Sequence, residues 1–340
     1  MIEMDYFMEL NSIEAEIKSR KARKVLLQFP EGLQSSAVKI SKALKLATGA
    51  EIVISADPCW GGCDLAENAA LKLGADLLVH FGHSPWPKKP KVPTLFIEVR
   101  SDIEVREVVL RAIGFLSAKK IGIATTVQHI HKLNEIKTLL EEKGFEILVG
   151  KPSGRAKYVG QILGCDLSSV KKINVDQFLF VGGGTFHPLG IALATGKRVI
   201  AADPFSGKVT DMSEETKRVL MQRYAQIAKA KNAERFGVVI GLKFGQINLK
   251  FARQIKEKIE SEGREAYLIA CEEINPERFY GLEDIEALVI TACPRIVIED
   301  GPRFKIPVIT PMELDILLGV RKWEGIIGEE TFGYKELSRL

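Results

Sequence analysis

Hydrophobic positions along the chain fall into two patterns that alternate. Short continuous apolar runs rich in β-branched residues, Lys24–Phe29, Lys120–Ala124 and Phe236–Gly241, have the pattern of strands buried on both faces of a sheet. After each run, apolar residues recur every three or four positions. They are Ile40, Ala43, Leu44 and Ala47, then Leu133, Ile136, Leu139 and Leu140, then Leu249, Ala252, Ile255 and Ile259. This spacing predicts helices with one buried face. Gly144 and Gly263 stand where the second and third of these helices should end, the place that favours left-handed backbone. Second strands are predicted at Glu51–Ala56, Phe145–Gly150 and Glu265–Ala270, third strands at Asp76–Gly82, Asp176–Gly183 and Glu286–Ala292, and short closing strands at Pro93–Val99, Lys197–Asp203 and Ile306–Pro311.

One unit is therefore written three times: strand, helix, strand, helix, strand and a short final strand. Strands alternating with helices imply parallel sheets with right-handed crossovers. The expected fold is α/β, with three similar domains, each a small parallel sheet flanked by helices, around a central site. The domains are placed at residues 1–103, 104–214 and 215–340. Parallel sheets gather their chemistry beyond the carboxyl ends of the strands, so equivalent loops of three domains can serve one shared centre.

Composition narrows the function. A chain of 340 residues is too long for one ordinary core. Its 48 basic and 44 acidic residues leave a net charge of +4, too mild and scattered to suggest a nucleic-acid partner. Lys88, Lys89 and Lys91 lie in the proline-rich stretch Pro85–Val92, read as a solvated loop. No run of about 18 apolar residues occurs, so no membrane span is expected. Glu3, Asp5, Glu9, Glu14 and Glu16 within Met1–Lys18 do not suit a signal peptide. The protein is expected to be soluble and cytoplasmic.

Five scattered cysteines make no disulfide framework. Cys63 in "GGCD" and Cys165 in "GCD" follow second strands, and Cys293 in "TACPR" follows a third strand. Gaps of 102 and 128 residues match no compact ferredoxin or zinc pattern. They fit one cysteine per domain meeting at one metal centre, an iron–sulfur cluster with one iron left open for a substrate or cofactor. Each cysteine alone also reads as a small buried hydrophobe. Cys271 ends a strand and reads as packing. Cys59, four residues before Cys63, is either a bystander or an alternative ligand, and the parallel between "GGCD" and "GCD" favours Cys63.

The remaining signals are weaker. Gly182–Thr185, "GGGT", suits a carboxylate or ribose cradle or a plain tight turn, and it lacks the lysine of a phosphate-binding loop. His83, His129, His131 and His187 share no metal spacing. Lys243 and Arg295 read either as partners of a carboxylate or as surface residues. His83, Gly183, Gly184, Gln246 and Arg295 are the polar strand-end candidates for contact with a bound small molecule.

Taken in order, "PEGL" at Pro30–Leu33, "DPCWGGCD" at Asp57–Asp64, "FGHS" at Phe81–Ser84, "GGGTFHP" at Gly182–Pro188, "DP" at Asp203–Pro204 and "TACPRI" at Thr291–Ile296 resemble the archaeal enzymes of the first step of diphthamide synthesis, along almost the whole chain. The resemblance implies a homodimeric transferase of three-domain subunits. It implies a four-iron, four-sulfur (4Fe-4S) cluster on Cys63, Cys165 and Cys293. It also implies S-adenosylmethionine at the open iron, cleaved between sulfur and the γ-carbon of its methionine part. The resulting 3-amino-3-carboxypropyl radical would add to an imidazole carbon of one histidine of translation elongation factor 2, leaving methylthioadenosine, with electrons from a separate donor. The chain departs from many relatives at Cys59, which leaves the ligand choice there open.

Three other readings remain. A quinolinate-synthase-like enzyme would use the open iron as a Lewis acid and would show itself by quinolinate formation. A non-enzymatic electron carrier would show a midpoint potential without turnover of S-adenosylmethionine. A nucleotide-binding α/β protein with inert cysteines would hold no iron.

Overall fold

The computed structural model describes residues 6–7 and 10–323. Part of the acidic signal at the N-terminus (Glu3, Asp5 and Glu9) and the last stretch of the third expected domain lie outside the described residues.

Three main sheets form, and all three have the same strand order. In order across the sheet, the first is Glu51–Ser55, Lys24–Gln28, Leu77–Phe81 and Thr94–Ile97, all parallel. The second is Glu146–Leu148, Lys120–Thr125, Gln177–Val181 and Arg198–Ala202, also parallel, with Val209–Asp211 added antiparallel at the far edge. The third is Glu265–Cys271, Arg235–Gly241, Ala287–Ile290 and Val308–Ile309. Numbered within its own sheet, each runs 2-1-3-4. The chain turns one way from strand 1 and the other way into strand 3, so a crevice opens beyond the ends of these two strands. The third strands of all three sheets are buried at every position, as their unbroken apolar runs require. The second strands lie at sheet edges and are partly exposed.

A clamp starts each sheet. The Asp76 carboxylate, entering the third strand, accepts the N–H groups of Arg23 and Lys24 at 2.7 and 2.9 Å. In the second sheet the Gln177 side-chain oxygen accepts from Ser117 and Ala118 at 3.0 and 3.3 Å. In the third, Glu286 accepts from Glu234 and Arg235 at 2.6 and 3.2 Å. Asp76 and Glu286 stand at the same place, one residue before the third strand, and take up donors at the entry of the first; in the second sheet that place holds Asp176, and Gln177, one position on, instead ties down the turn before Lys120.

The chain divides into two compact units. The first is Met1–Ile103 with the short segments Val127–His131 and Lys243–Gly245. One of its cores joins helices Leu10–Ser19 and Ala37–Thr48 to the first sheet through Ile13, Ile17, Ile40, Leu44, Val25, Leu27 and Val79. On the opposite face, Leu26, Leu65, Leu78, Val92, Phe244 and Trp86 pack together. The stretch Pro85–Val92 is accordingly anchored rather than merely solvated. Lys88 donates to the Phe244 carbonyl at 3.1 Å and lies 5.0 Å from its ring centre.

The second unit holds the other two sheets. Helix Ser213–Ala230 serves both: Val219 joins the core of the second sheet, and Ile227 and Ala230 join that of the third. The boundary at 214/215 falls in the first turn of this helix. Arg223 from its middle is 2% exposed. It forms a bidentate pair with Glu313 at 2.7 Å and also donates to the carbonyls of Val297 and Val308. Every charge-bearing atom of this buried pair is thereby answered.

The expected helices form at Ala37–Thr48, Leu133–Glu142 and Leu249–Ser261. Gly144 and Gly263 follow the last two with φ of 86° and 78°. The helices expected between second and third strands are much reduced: Glu67–Leu73, the single turn Ser168–Lys171 and a 3-10 turn at Pro276–Phe279. A helix not expected, Phe186–Thr195, follows the glycine loop of the second sheet. Six of its ten residues are buried, so it has no polar face and no 3.6-residue rhythm to betray it. Pro188 sits in its first turn, where proline is tolerated. Among the described residues no helix is long and apolar enough to cross a membrane.

Candidate functional site

In the first unit, the loop after strand Glu51–Ser55 carries two cysteines with different surroundings. Cys63 is partly exposed and Cys59 is buried. The Cys63 carbonyl accepts the N–H of Gly245 at 2.7 Å. A Cβ at position 245 would lie 2.6 Å from Cys63 Cβ and equally close to the indole of Trp86, so only glycine allows this approach. The neighbouring Asp64 closes the loop: its Oδ2 accepts the Trp60 N–H at 3.2 Å and pairs with Lys243 Nζ at 2.6 Å. Lys243 is 6% exposed, which decides between its two sequence readings in favour of the carboxylate partner.

Behind this loop, at the end of the first sheet, lies a polar cluster. Gln28 and His80 are register neighbours on adjacent strands, and both are buried. The Gln28 amide donates to the Asp64 carbonyl at 2.7 Å, and its oxygen accepts the Ala66 N–H at 3.0 Å. His80 Nδ1 lies 2.8 Å from that oxygen, and His80 Nε2 lies 3.0 Å from His83 Nδ1. Cys59 Sγ completes the group, its ligand atom and those of the two histidines all lying within 4.8 Å of one another. Burial pushes the Cys59 thiol up to about 12 and holds the His83 imidazole down to about 4, and His80 is likewise lowered by burial. The cluster is therefore uncharged at neutral pH.

In the second unit, Cys165 is partly exposed on a tight turn where Leu163 and Asp166 exchange backbone hydrogen bonds of 2.9 and 3.0 Å. The sequence places it just after a second strand. That strand instead ends at Leu148, and a long irregular segment punctuated by Gly150, Pro152 and Gly154 intervenes. Asp166 closes the turn as Asp64 closes the other, accepting the N–H groups of Ala156 and Ser168 at 2.7 and 3.0 Å. Desolvation raises the Cys165 thiol, against the lowering influence of Arg155, which hydrogen-bonds it. Cys293 is partly exposed just beyond the third strand, where its carbonyl accepts the Ile296 N–H at 3.2 Å and opens a helical segment.

Phe186 links these two loops. A Cβ at Gly164 would lie 2.2 Å from the Phe186 ring, and the Arg295 guanidinium lies 5.5 Å from the ring centre. Gly164 immediately precedes Cys165 and Arg295 follows Cys293 by two residues, so one aromatic ring gathers both cysteine loops. Arg295 also pairs with Glu299.

Phe186 begins the helix that follows Gly183, Gly184 and Thr185, and these three residues are exposed. Gln246 is buried, and a Cβ at Gly241 would meet its Oε1 at 3.2 Å and Ala292 Cβ at 2.7 Å. Gln246 and the residue before Cys293 thus share the crevice between the first and third strands. Cys271 ends its strand and packs against the apolar cluster that includes Val239, Ile274 and Phe279. Gln28, His80, Asp64, Asp166 and Phe186 escaped the sequence reading as site residues. The only trace was the shared "GCD" and the phenylalanine inside "GGGTFHP".

Comparison with known proteins follows this geometry closely. A family model described as "Putative diphthamide synthesis protein" matches residues 29–327. The chain is 38% identical to the 2-(3-amino-3-carboxypropyl)histidine synthase of Pyrococcus horikoshii, over 95% of this chain and 96% of that one. It is 30% identical to subunit 1 of the corresponding synthase of Encephalitozoon cuniculi, over 91% and 88% of the two chains. The crystal structure of Dph2 from Pyrococcus horikoshii with a 4Fe-4S cluster superposes with a TM-score of 0.86 at 38% identity, covering 93% of this chain and 92% of that one. With its whole three-sheet body matched in this way, the chain belongs to the diphthamide synthesis family and is a transferase.

Proposed function

We propose that this chain carries out the first step of diphthamide synthesis, moving the 3-amino-3-carboxypropyl group of S-adenosylmethionine onto an imidazole carbon of one histidine of translation elongation factor 2. The observation that carries this reading is the contrast among the cysteines. Cys63 and Cys165 are partly exposed on turns closed by a buried aspartate, and Cys293 is partly exposed just beyond a strand end, whereas Cys59 is buried and Cys271, also partly exposed, packs its side against an apolar core cluster. Three cysteines on loops at the functional ends of three sheets suit a 4Fe-4S cluster with one iron unligated by protein, and we assign Cys63, Cys165 and Cys293 as its ligands.

When bound, the reduced cluster supplies the single electron that breaks the bond between the sulfonium sulfur and the γ-carbon. Methylthioadenosine departs with the sulfur. The 3-amino-3-carboxypropyl radical would add to the imidazole carbon, and return of one electron to the oxidised cluster with release of one proton to solvent would restore the aromatic ring, so that the transfer is redox-neutral. The protein's part is to choose which carbon–sulfur bond faces the iron, since misplacement by about an ångström costs on the order of a hundredfold in rate. The amides of Gly183 and Gly184, exposed at the start of a ten-residue helix, suit the carboxylate of the methionine part. Arg295 and Gln246 border the Cys293 loop, Arg295 as a positive charge and Gln246 as an amide, and His83 lies at the end of the first sheet. Phe186 holds the Cys165 and Cys293 loops in place. The enzyme works as a cytoplasmic homodimer supplied by a separate electron donor.

Anaerobic purification, iron and sulfide counting, dithionite reduction and addition of S-adenosylmethionine test this directly. Methylthioadenosine should form, and the factor's target peptide should gain the mass of the transferred group. A full cluster with intact S-adenosylmethionine would overturn the assignment.

A further inference from the structure

Cys59, His80 and His83 form a cluster that contains none of the three proposed iron–sulfur ligands. We propose that they bind a thiophilic divalent cation, zinc by the chemistry of the donors, at a site separate from the iron–sulfur ligands.

The ligand atoms already lie within 4.8 Å of one another. A tetrahedral zinc ion with Zn–S of about 2.3 Å and Zn–N of about 2.0–2.1 Å needs its donors roughly 3.4–3.6 Å apart, so small side-chain adjustments suffice. One thiolate and two imidazoles are donors that zinc accepts, whereas magnesium and calcium prefer oxygen.

The supporting shell is built as well. Gln28 is fixed in orientation by backbone on both sides, donating to the Asp64 carbonyl and accepting from Ala66. Its oxygen therefore faces His80 Nδ1, and that nitrogen must carry the proton. The lone pair is left on Nε2, directed at His83. A ligating histidine held by its other ring nitrogen is the usual arrangement at zinc. The His83 Nδ1 proton that now bridges the two rings would shift to its other nitrogen on metal binding, and the Cys59 thiol would release one proton to solvent. The fourth position stays open to water or a small anion. Ser84 Oγ, next to His83 in the chain, is buried with no hydrogen-bond partner among the described residues, a sign that this loop leaves polar capacity unused. Gln28 also holds the loop that carries Cys63, so an occupied site would brace the first cluster ligand from behind.

The experiment separates this site from the cluster. The full-length chain with Cys63, Cys165 and Cys293 changed to alanine is stripped with chelator and titrated with Co(II), then with Zn(II). One equivalent of cobalt should bind with a thiolate-to-cobalt charge-transfer band, and zinc should displace it. Cys59→Ser should abolish the band. Gln28→Leu should keep it with affinity reduced 10–100-fold. A band that survives Cys59→Ser, or no band in the three-alanine chain, would overturn the proposal. Should the three-alanine chain fail to fold by circular dichroism, zinc content of the aerobically purified natural sequence against Cys59→Ser decides instead. One equivalent is expected in the first and less than a tenth in the second, and equal contents overturn the proposal.

Discussion

Replacing Asp64 by leucine would take the facing carboxylate away from the Lys243 ammonium where it is only 6% exposed. The two charges stand 2.6 Å apart, which at an effective dielectric constant of about 20 is roughly 6 kcal/mol of gross attraction. Desolvation of both ions consumes most of that, so the intact pair contributes little net stability. Losing one partner is different, because the survivor's desolvation then loses its main compensation, at about 3–5 kcal/mol. Asp64→Leu and Lys243→Met should each destabilise the first unit by that amount. The double variant should lie within about 1–2 kcal/mol of the natural sequence, the remainder reflecting the acceptor that Trp60 N–H loses. Urea unfolding read by tryptophan fluorescence in a Trp323→Phe background follows Trp60 and Trp86, both in the first unit. A double-mutant cycle then gives the coupling, expected to be at least about 3 kcal/mol. Single losses under about 1 kcal/mol, or additive losses in the double variant, would refute the reasoning.

Cys165→Ala should lose the cluster iron, whereas Cys271→Ala should keep it, and equal iron content in the two would remove the ligand assignment. Gly245→Val should displace the Cys63 loop, because a Cβ there already meets Cys63 and Trp86 at 2.6 Å. An overpacking loss of about 1–3 kcal/mol with impaired iron uptake is expected, and unchanged uptake would contradict it. Acid should weaken the first and third sheets through their clamps. Backbone N–H groups hold the Asp76 and Glu286 carboxyls below their usual range. Their stabilisation is complete above the unfolded-state values near 4 and is lost as pH falls through the lower folded-state values. Asp76→Asn should flatten the dependence of the first unit's urea midpoint on pH below about 5, and an unchanged acid slope would count against the clamp.

The sheets were legible because their inner strands are unbroken apolar runs, and the three long amphipathic helices because one face of each is polar. Helix Phe186–Thr195 was not, since a helix buried nearly all round loses its rhythm. The cysteine pattern singled out three loops, but what surrounds them did not show. Asp64 and Lys243 are 179 residues apart in the chain, and Gln28 meets His80 only through strand register 52 residues away. Phe186 joins the Cys165 and Cys293 loops through ring contacts that no spacing encodes. In sequence only the shared "GCD" favoured Cys63 over Cys59, because both belong to one glycine-rich loop. Their burial separates them.

The shared 2-1-3-4 strand order carries a historical consequence. Cys63 and Cys165 come after the second strand of their sheets, but Cys293 leaves the third strand. A module duplicated together with its thiol would bear cysteine at the same address in every copy. In the third copy the residue nearest that address is Cys271, at the end of the second strand, where it packs with apolar side chains. Duplication would therefore account for three like supports but not for the position of Cys293, which calls for a separate substitution in the third copy.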